Sequence, residues 1–183
     1  FGKDPLENAV HGSKDPESAA AETEFFFPQN GGSRAGTVKR VNSTCGIIKP
    51  HAFTEGQAGK IISDIFSSNF NITAMMMFHL DRQDAEEFLE VYRGVVAEFT
   101  SMVDELTSGP CIALEISAPP GDDVHHEFRE FCGPADPDIG RHLRPRTIRA
   151  RYGHNKVKNA IHCTDLPEDA PLEVQFFFQI MDK

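Results

Sequence analysis

The chain has 183 residues, 39% of them apolar and 25% charged, which is enough for one sizeable globular core and too little for two. No stretch approaches the roughly 18 to 20 uninterrupted apolar residues of a membrane helix, and a formal charge of -10 argues against nonspecific binding to nucleic acid or to a membrane surface. Four cysteines, Cys45, Cys111, Cys132 and Cys163, stand without CxxC or CxxxC pairing, so they indicate neither a zinc site nor a disulfide framework and read as reduced thiols of a cytosolic compartment.

In chain order, the first feature is a repeat. NAVHGSKDPESAAAETEFFF at residues 8–27 returns at 159–178 as NAIHCTDLPEDAPLEVQFFF, with ten of twenty positions identical and no gap. The offset of 151 residues (159 minus 8) is far longer than a solenoid repeat of roughly 20 to 50 residues and fits one whole duplicated domain. Residues 1–28 are then expected to close an upstream copy whose body lies outside this sequence, which agrees with a first residue, Phe1, that is not Met. Residues 29–43, QNGGSRAGTVKRVNS, read as a linker, and 44–183 as the domain itself.

Within that domain, TCGIIK (44–49) predicts a strand closed by Pro50, and Ile61, Ile62, Ile65 and Phe66 share one face of a helix over 56–68. Phe70, Ile72, Ala74, Met76 and Phe78 alternate as in a half-buried strand, with Met75 and Met77 on its other face, a spacing read as core packing. Phe88, Val91, Tyr92, Val95, Val96 and Phe99 follow helical spacing and predict one amphipathic helix from about Asp81, continued through Leu106 to a stop at Ser108-Gly109-Pro110. CIALEIS (111–117) predicts a strand, 124–132 a helix, 133–158 a long irregular stretch, and VQFFF (174–178) a last strand. His125 and His126, adjacent on that helix, read as a solvent-facing pair. The order of elements suits an α+β domain with helices packed on one antiparallel sheet.

The irregular stretch concentrates charge. From Arg129 to Lys158 there are eight Lys/Arg against three acids, a local +5 in a chain otherwise at -15. A small polyanion such as a nucleotide phosphate tail would suit it, as would a merely solvated basic loop. Just beyond lies His162, with Glu173 eleven residues on. A carboxylate that accepts one imidazole N–H fixes the tautomer and leaves the other nitrogen nucleophilic, while arginines can neutralise charge on a phosphoryl group. The same spacing also serves a purely structural histidine.

From Thr44 onward the chain resembles a nucleoside diphosphate kinase domain. IIKP at 47–50, SGP at 108–110, FREFCGPADP at 128–137, RPRTIRARYG at 144–153 and NAIH at 159–162 follow that family in order and at close to its spacing. The resemblance implies a ferredoxin-like α+β fold and a ping-pong transfer of the γ-phosphoryl of ATP or another triphosphate through His162 to a nucleoside diphosphate. Carried over residue by residue, it implies that Lys49 and Asn159 bond the ribose hydroxyl and that Arg129 and Arg149 clamp phosphates. Thr164 keeps a hydroxyl near His162, Glu173 orients the imidazole, and Mg2+ arrives bridged on the nucleotide phosphates, with no protein metal cage. Three departures weaken the expected nucleotide site: Ala135 replaces a phosphate-contacting Thr, Leu89 stands for a Tyr, and the VVAEF run puts Ala97 or Glu98 where an aromatic ring would stack on the base.

Residues 1–28 resemble the tail of a second such domain, starting with Phe1-Gly2 as Tyr152-Gly153 does in the first. Tandem domains, the linker, FREFCGPADP, HLRP and HCTDLPED together resemble a branch of the family associated with cilia and flagella. That branch implies a cytoplasmic, cytoskeletal protein of the axoneme, with tubulin and doublet-microtubule proteins and the upstream kinase domain as partners. It also implies a second role as a structural axonemal component with a vestigial nucleotide site.

Overall fold

The computed structural model describes residues 1–28, 38 and 41–181. Most of the expected linker, 29–37 and 39–40, lies outside the described residues. The chain divides into two compact units, Phe1–Ala35 and one running from Gly36.

The first unit is a folded loop and one helix. The Asp4 carboxylate accepts the N–H groups of Leu6 and Glu7 at 2.7 and 2.8 Å, and Lys3 N–H reaches the Glu7 carbonyl at 2.7 Å. Asp15 then caps helix α1 (Pro16–Phe26) by accepting Ser18 N–H, with Pro at the first turn where a missing N–H costs nothing. No residue of α1 is buried, and Phe25, Phe26 and Phe27 all face solvent.

The second unit is α+β and ferredoxin-like: a four-stranded antiparallel sheet in the order β2-β3-β1-β4 with helices on both faces. Its strands are β1 (Ser43–Ile48), β2 (Asn71–Phe78), β3 (Cys111–Ser117) and β4 (Ile161–Cys163). Covering on both faces explains why the central strands β1 and β3 are buried along almost their whole length and show no simple alternation of buried and exposed residues. One face packs against α4 (Arg82–Phe88), α5 (Phe99–Leu106) and α9 (Ala170–Gln175) through Ile47, Phe88, Val103, Val174 and Phe177. The other packs against α3 (Ala58–Ser67), α6 (Val124–Cys132) and α8 (Ile148–Tyr152) through Ile48, Ile61, Ile65, Phe128 and Ile148. Two short helices complete it, α2 (Pro50–Thr54) after β1 and α7 (Pro137–Leu143) before α8.

Four expectations are corrected. VQFFF is no strand: α9 runs into a wide π-type turn over Phe176–Ile180, in which three successive phenylalanines are all buried. Their β propensity yields to packing, since the widened turn lets three neighbouring rings point inward where ideal helical spacing would splay them. The fourth strand is instead the three-residue β4, too short to show a period. The single amphipathic helix is broken into α4, a 3-10 turn at Glu90–Tyr92 and α5, because Gly94 takes φ +74° between them and leaves Val91 and Val95 exposed. The irregular stretch contains α7, capped by Asp136, and α8, which begins after Thr147. Met75 and Met77 lie about half exposed on an open face of β2, outside the core.

Phe177 is fully buried and Met75 is 57% exposed, so truncation separates the two environments. Phe177→Ala is expected to lower unfolding free energy by about 3–5 kcal/mol, and Met75→Ala by about 0.5 kcal/mol or less, as measured by urea denaturation; equal losses would contradict the helical placement of FFF.

Candidate functional site

The site is built around the turn that enters β4. Ile161 N–H bonds back to Asn159 C=O at 2.9 Å across Ala160, whose φ is +71°. A three-residue turn with positive φ on a residue bearing a Cβ is strained by about 1–3 kcal/mol. The junction of β1 and α2 holds it from outside: Lys49 N–H donates to Ala160 C=O at 2.9 Å, and Ala160 N–H donates to His51 Nε2 at 3.2 Å.

Beyond the turn, β4 pairs His162 with Ile47 and turns its imidazole toward α4 and α9. There Glu173, on the first turn of α9, lies 2.9 Å from His162 Nε2, and the same carboxylate oxygen accepts the Thr164 hydroxyl at 2.9 Å. The His162 ring meets the Phe88 ring edge-on at 5.1 Å. A carboxylate only accepts, so Nε2 carries the proton and Nδ1 keeps a lone pair in the neutral ring. The pair is nearly enclosed, with side chains 8% and 14% exposed.

The expected cations flank this histidine along the strand. Arg149 is buried and fixed by three bonds, to Ile161 C=O (3.0 Å), Gly133 C=O (2.9 Å) and Cys163 Sγ (3.4 Å). Arg129, more exposed, donates to Thr164 C=O at 2.8 Å and to Asp165 at 2.5 Å. Lys49 is buried with its ammonium 2.8 Å from Val157 C=O. Burial first, and then repulsion from Arg149, pull its pKa down to about 7. Asn159 donates from Nδ2 to Ala135 C=O at 3.1 Å, while its Oδ1 is buried without a partner, an acceptor left open. The predicted set is therefore brought together: His162, Glu173 and Thr164 by direct bonds, Lys49, Arg149 and Arg129 through the carbonyls of Val157, Ile161 and Thr164, and Asn159 by its place in the same segment.

Several neighbours were not legible beforehand. Tyr92 donates to Asp165, the same carboxylate that holds Arg129. Burial opposes ionisation of Asp165, but those two bonds outweigh it and keep its carboxyl below the usual range, while burial and Asp165 push the Tyr92 phenol up. His125 is not the solvent-facing residue that adjacency suggested: it is partly buried and donates from Nε2 to Thr164 C=O at 3.1 Å. The buried Cys163 thiol is pulled down, to about 5, by a hydrogen bond from Cys132 and by Arg149, against the opposing effect of burial. Leu89 is sealed in the core, and Phe88, one residue earlier, is what faces His162. Glu98 lies on a cleft of about 670 Å³ between α5 and residues 155–158, lined by Asp104 and Glu105 on one side and Lys156 and Lys158 on the other. Among the described residues no aromatic ring lines it.

The first unit repeats the local geometry. Val10 N–H returns to Asn8 C=O at 2.8 Å across Ala9 at φ +65°, His11 Nε2 lies 3.0 Å from Glu22, and the Ser13 hydroxyl donates to the same oxygen at 2.5 Å.

Comparison with known proteins gives a consistent result. The family profile described as nucleoside diphosphate kinase matches residues 42–182. The chain is similar over all 183 residues to nucleoside diphosphate kinase homolog 7 of rat (57% identical) and of mouse (56%), covering 46% of each, so it spans just under half the length of these relatives. It is 38% identical to a nucleoside diphosphate kinase of Aquifex aeolicus over 138 residues, 75% of this chain and 94% of that one. A crystal structure of the Aquifex aeolicus nucleoside diphosphate kinase superposes with a TM-score of 0.71 at 36% identity, covering 77% of this chain and 97% of that one.

The Lys49 shift has a measurable consequence. Its folded pKa of about 7 lies below the ordinary 10.5, so between those values the unfolded chain binds more protons and folding stability rises with pH; below about 7 the cost of burying the charge is fully present. Thermal midpoints of Lys49→Met and the parent are therefore expected to shift relative to one another, the variant faring better at pH 6 than at pH 10; a difference independent of pH would refute the buried ammonium.

Proposed function

This chain belongs to the nucleoside diphosphate kinase family, and we propose that its second unit transfers the γ-phosphoryl group of a nucleoside triphosphate to a nucleoside diphosphate by way of His162. The observation that carries this reading is the enclosed contact of His162 Nε2 with Glu173 at 2.9 Å, which leaves Nδ1 as the free nucleophile.

In the first half-reaction the Nδ1 lone pair attacks the γ-phosphorus, the bond from that phosphorus to the bridging oxygen breaks, and the diphosphate leaves with the electron pair. Glu173 stabilises the positive charge that the imidazole gains, through the Nε2–H it already accepts. A second diphosphate then takes the phosphoryl group from Nδ1 by the reverse step. Arg129 and Arg149 stand where charge on the phosphates needs compensation, and Lys49 with the open Asn159 Oδ1 supplies a donor and an acceptor for a ribose hydroxyl. Among the described residues no group of three His, Cys, Asp or Glu side chains could cage a metal. A magnesium ion brought by the nucleotide would add charge compensation for the phosphates beside that of Arg129 and Arg149.

Binding is the weak part of this site. Ala135 offers no hydroxyl to a phosphate, which costs about 1 kcal/mol, and a base that meets Glu98 where a ring would stack forgoes about 1–3 kcal/mol. Turnover limited by a high KM follows. The same departures, with the likeness to a ciliary branch of the family, support a second reading in which the domain serves chiefly as a structural component of the axoneme beside tubulin and doublet proteins. We read residues 1–28 as the closing segment of an upstream kinase domain; support for this comes from the repeated His-Ser-Glu geometry and from relatives more than twice the chain's length.

Incubation of the full-length parent with labelled ATP and magnesium, then acid treatment, tests the first reading. Acid-labile label should vanish from this domain in His162→Ala, and Glu173→Gln should slow its formation by about 100-fold or more; label on the domain that survives His162→Ala would reject it. For the second reading, the protein should stay with salt-washed axonemes, and an entirely soluble pool would reject it.

A further inference from the structure

Glu105 and His51 take no part in the reaction just described, yet their side chains are only 2% and 4% exposed. Glu105 Oε1 accepts both His51 Nδ1 at 2.6 Å and the His51 backbone N–H at 3.1 Å. A carboxylate accepts, so Nδ1 bears the proton. The other ring nitrogen faces Ala160 N at 3.2 Å, a backbone N–H that can only donate. Nε2 must therefore carry a lone pair, and the two contacts together admit only the neutral ring with its proton on Nδ1.

We propose that His51, oriented by Glu105, is a positioning residue: by accepting the Ala160 N–H it locks the left-handed turn that carries Asn159 and so fixes the acceptor which that side chain offers to a bound nucleotide. Three observations converge on this. Ala160 sits at φ +71° with a Cβ, a strained conformation that bonds from outside the turn can stabilise. The two bonds that hold its amide and carbonyl, from His51 and Lys49, come from one rigid corner between β1 and α2. Asn159 spends its Nδ2 on Ala135 C=O and keeps Oδ1 buried and open, so its aim depends on that one bond and on the backbone that carries it.

The nucleophile is secured separately, by the pairing of His162 with Ile47 and by Glu173. Loss of the imidazole is thus expected to disturb the ribose side of the site and to spare His162. The same turn at Asn8–Val10 forms in a segment whose helix buries nothing, so the part of His51 is to lock the turn, not to shape it.

Nitrogen NMR on the full chain should find His51 neutral and protonated at Nδ1, and a ring protonated at Nε2 would overturn the proposal whether or not any variant folds. In His51→Phe, which fills the ring's space without an acceptor, exchange of the Ala160 amide should quicken by about tenfold or more. His51→Gln, whose side-chain oxygen can accept the same N–H, should restore protection to within about threefold. Equal loss in both variants would mean that the ring only packs, and no loss in either would mean that it does nothing for the turn; each result overturns the proposal. The kinetic arm rests on the phosphotransfer reading: KM for ADP should rise about tenfold in His51→Phe with kcat within about twofold. A parent chain without turnover would defeat that reading while leaving the tautomer and exchange measurements to decide this one.

Discussion

The site depends on one hydrogen bond between a strand and a helix. His162 lies on a strand of three residues and Glu173 on the first turn of the helix that follows, and the 2.9 Å contact between them fixes which imidazole nitrogen is free. It demands that the chain fold back within eleven residues, which a strand at VQFFF would prevent and the helix α9 permits. The three buried phenylalanines then pack α9 against the sheet, so Phe176, Phe177 and Phe178 help to enclose a carboxylate that the local sequence already brings to His162.

Around that pair the positive groups are tied to backbone carbonyls of the segment that carries His162. Arg149 reaches Ile161 C=O and Arg129 reaches Thr164 C=O, so both guanidinium groups are oriented before any ligand arrives. Such preorganisation removes reorganisation cost at the moment of reaction. It has a counterpart in Lys49, which burial deprives of much of its charge near neutral pH. A polyanion bound beside it would favour the ammonium again, so proton uptake and phosphate binding are coupled at this residue.

The fold class was legible in the sequence, and so were the candidate site residues. His162, Glu173, Lys49, Arg129, Arg149, Asn159 and Thr164 were identifiable as candidates because the motifs are contiguous and strung in a fixed order, and the structure places them near one segment. β1, β2 and β3 were legible from apolar runs and alternation, as were α3 and α6 from their helical spacing. β4 was not, since three residues hold no period, and VQFFF carried strand propensity that tertiary packing overrode. Val91 and Val95 kept helical spacing by coincidence across a glycine at positive φ. His51, Tyr92, His125 and Asp165 carried no local signal, because each acts on the site across a gap of 35 residues or more in sequence.

The repeat separates what local sequence can encode from what only a folded body can. Asn-Ala-Val-His and Asn-Ala-Ile-His form the same strained turn, and each histidine finds a glutamate eleven residues on at about 3 Å, with a hydroxyl on the same oxygen. Bond geometry is therefore the property of some fifteen residues. Burial is not: the His11 and Glu22 side chains are 72% and 37% exposed, against 8% and 14% for His162 and Glu173. In water an exposed pair of this kind adds little, because solvent screens its charge and competes for its bonds. The enclosed pair is screened far less, so each partner feels more of the other's field. The enclosure that separates His162 from His11 is thus supplied by α4 and the sheet, the parts of the domain that the short repeat does not contain.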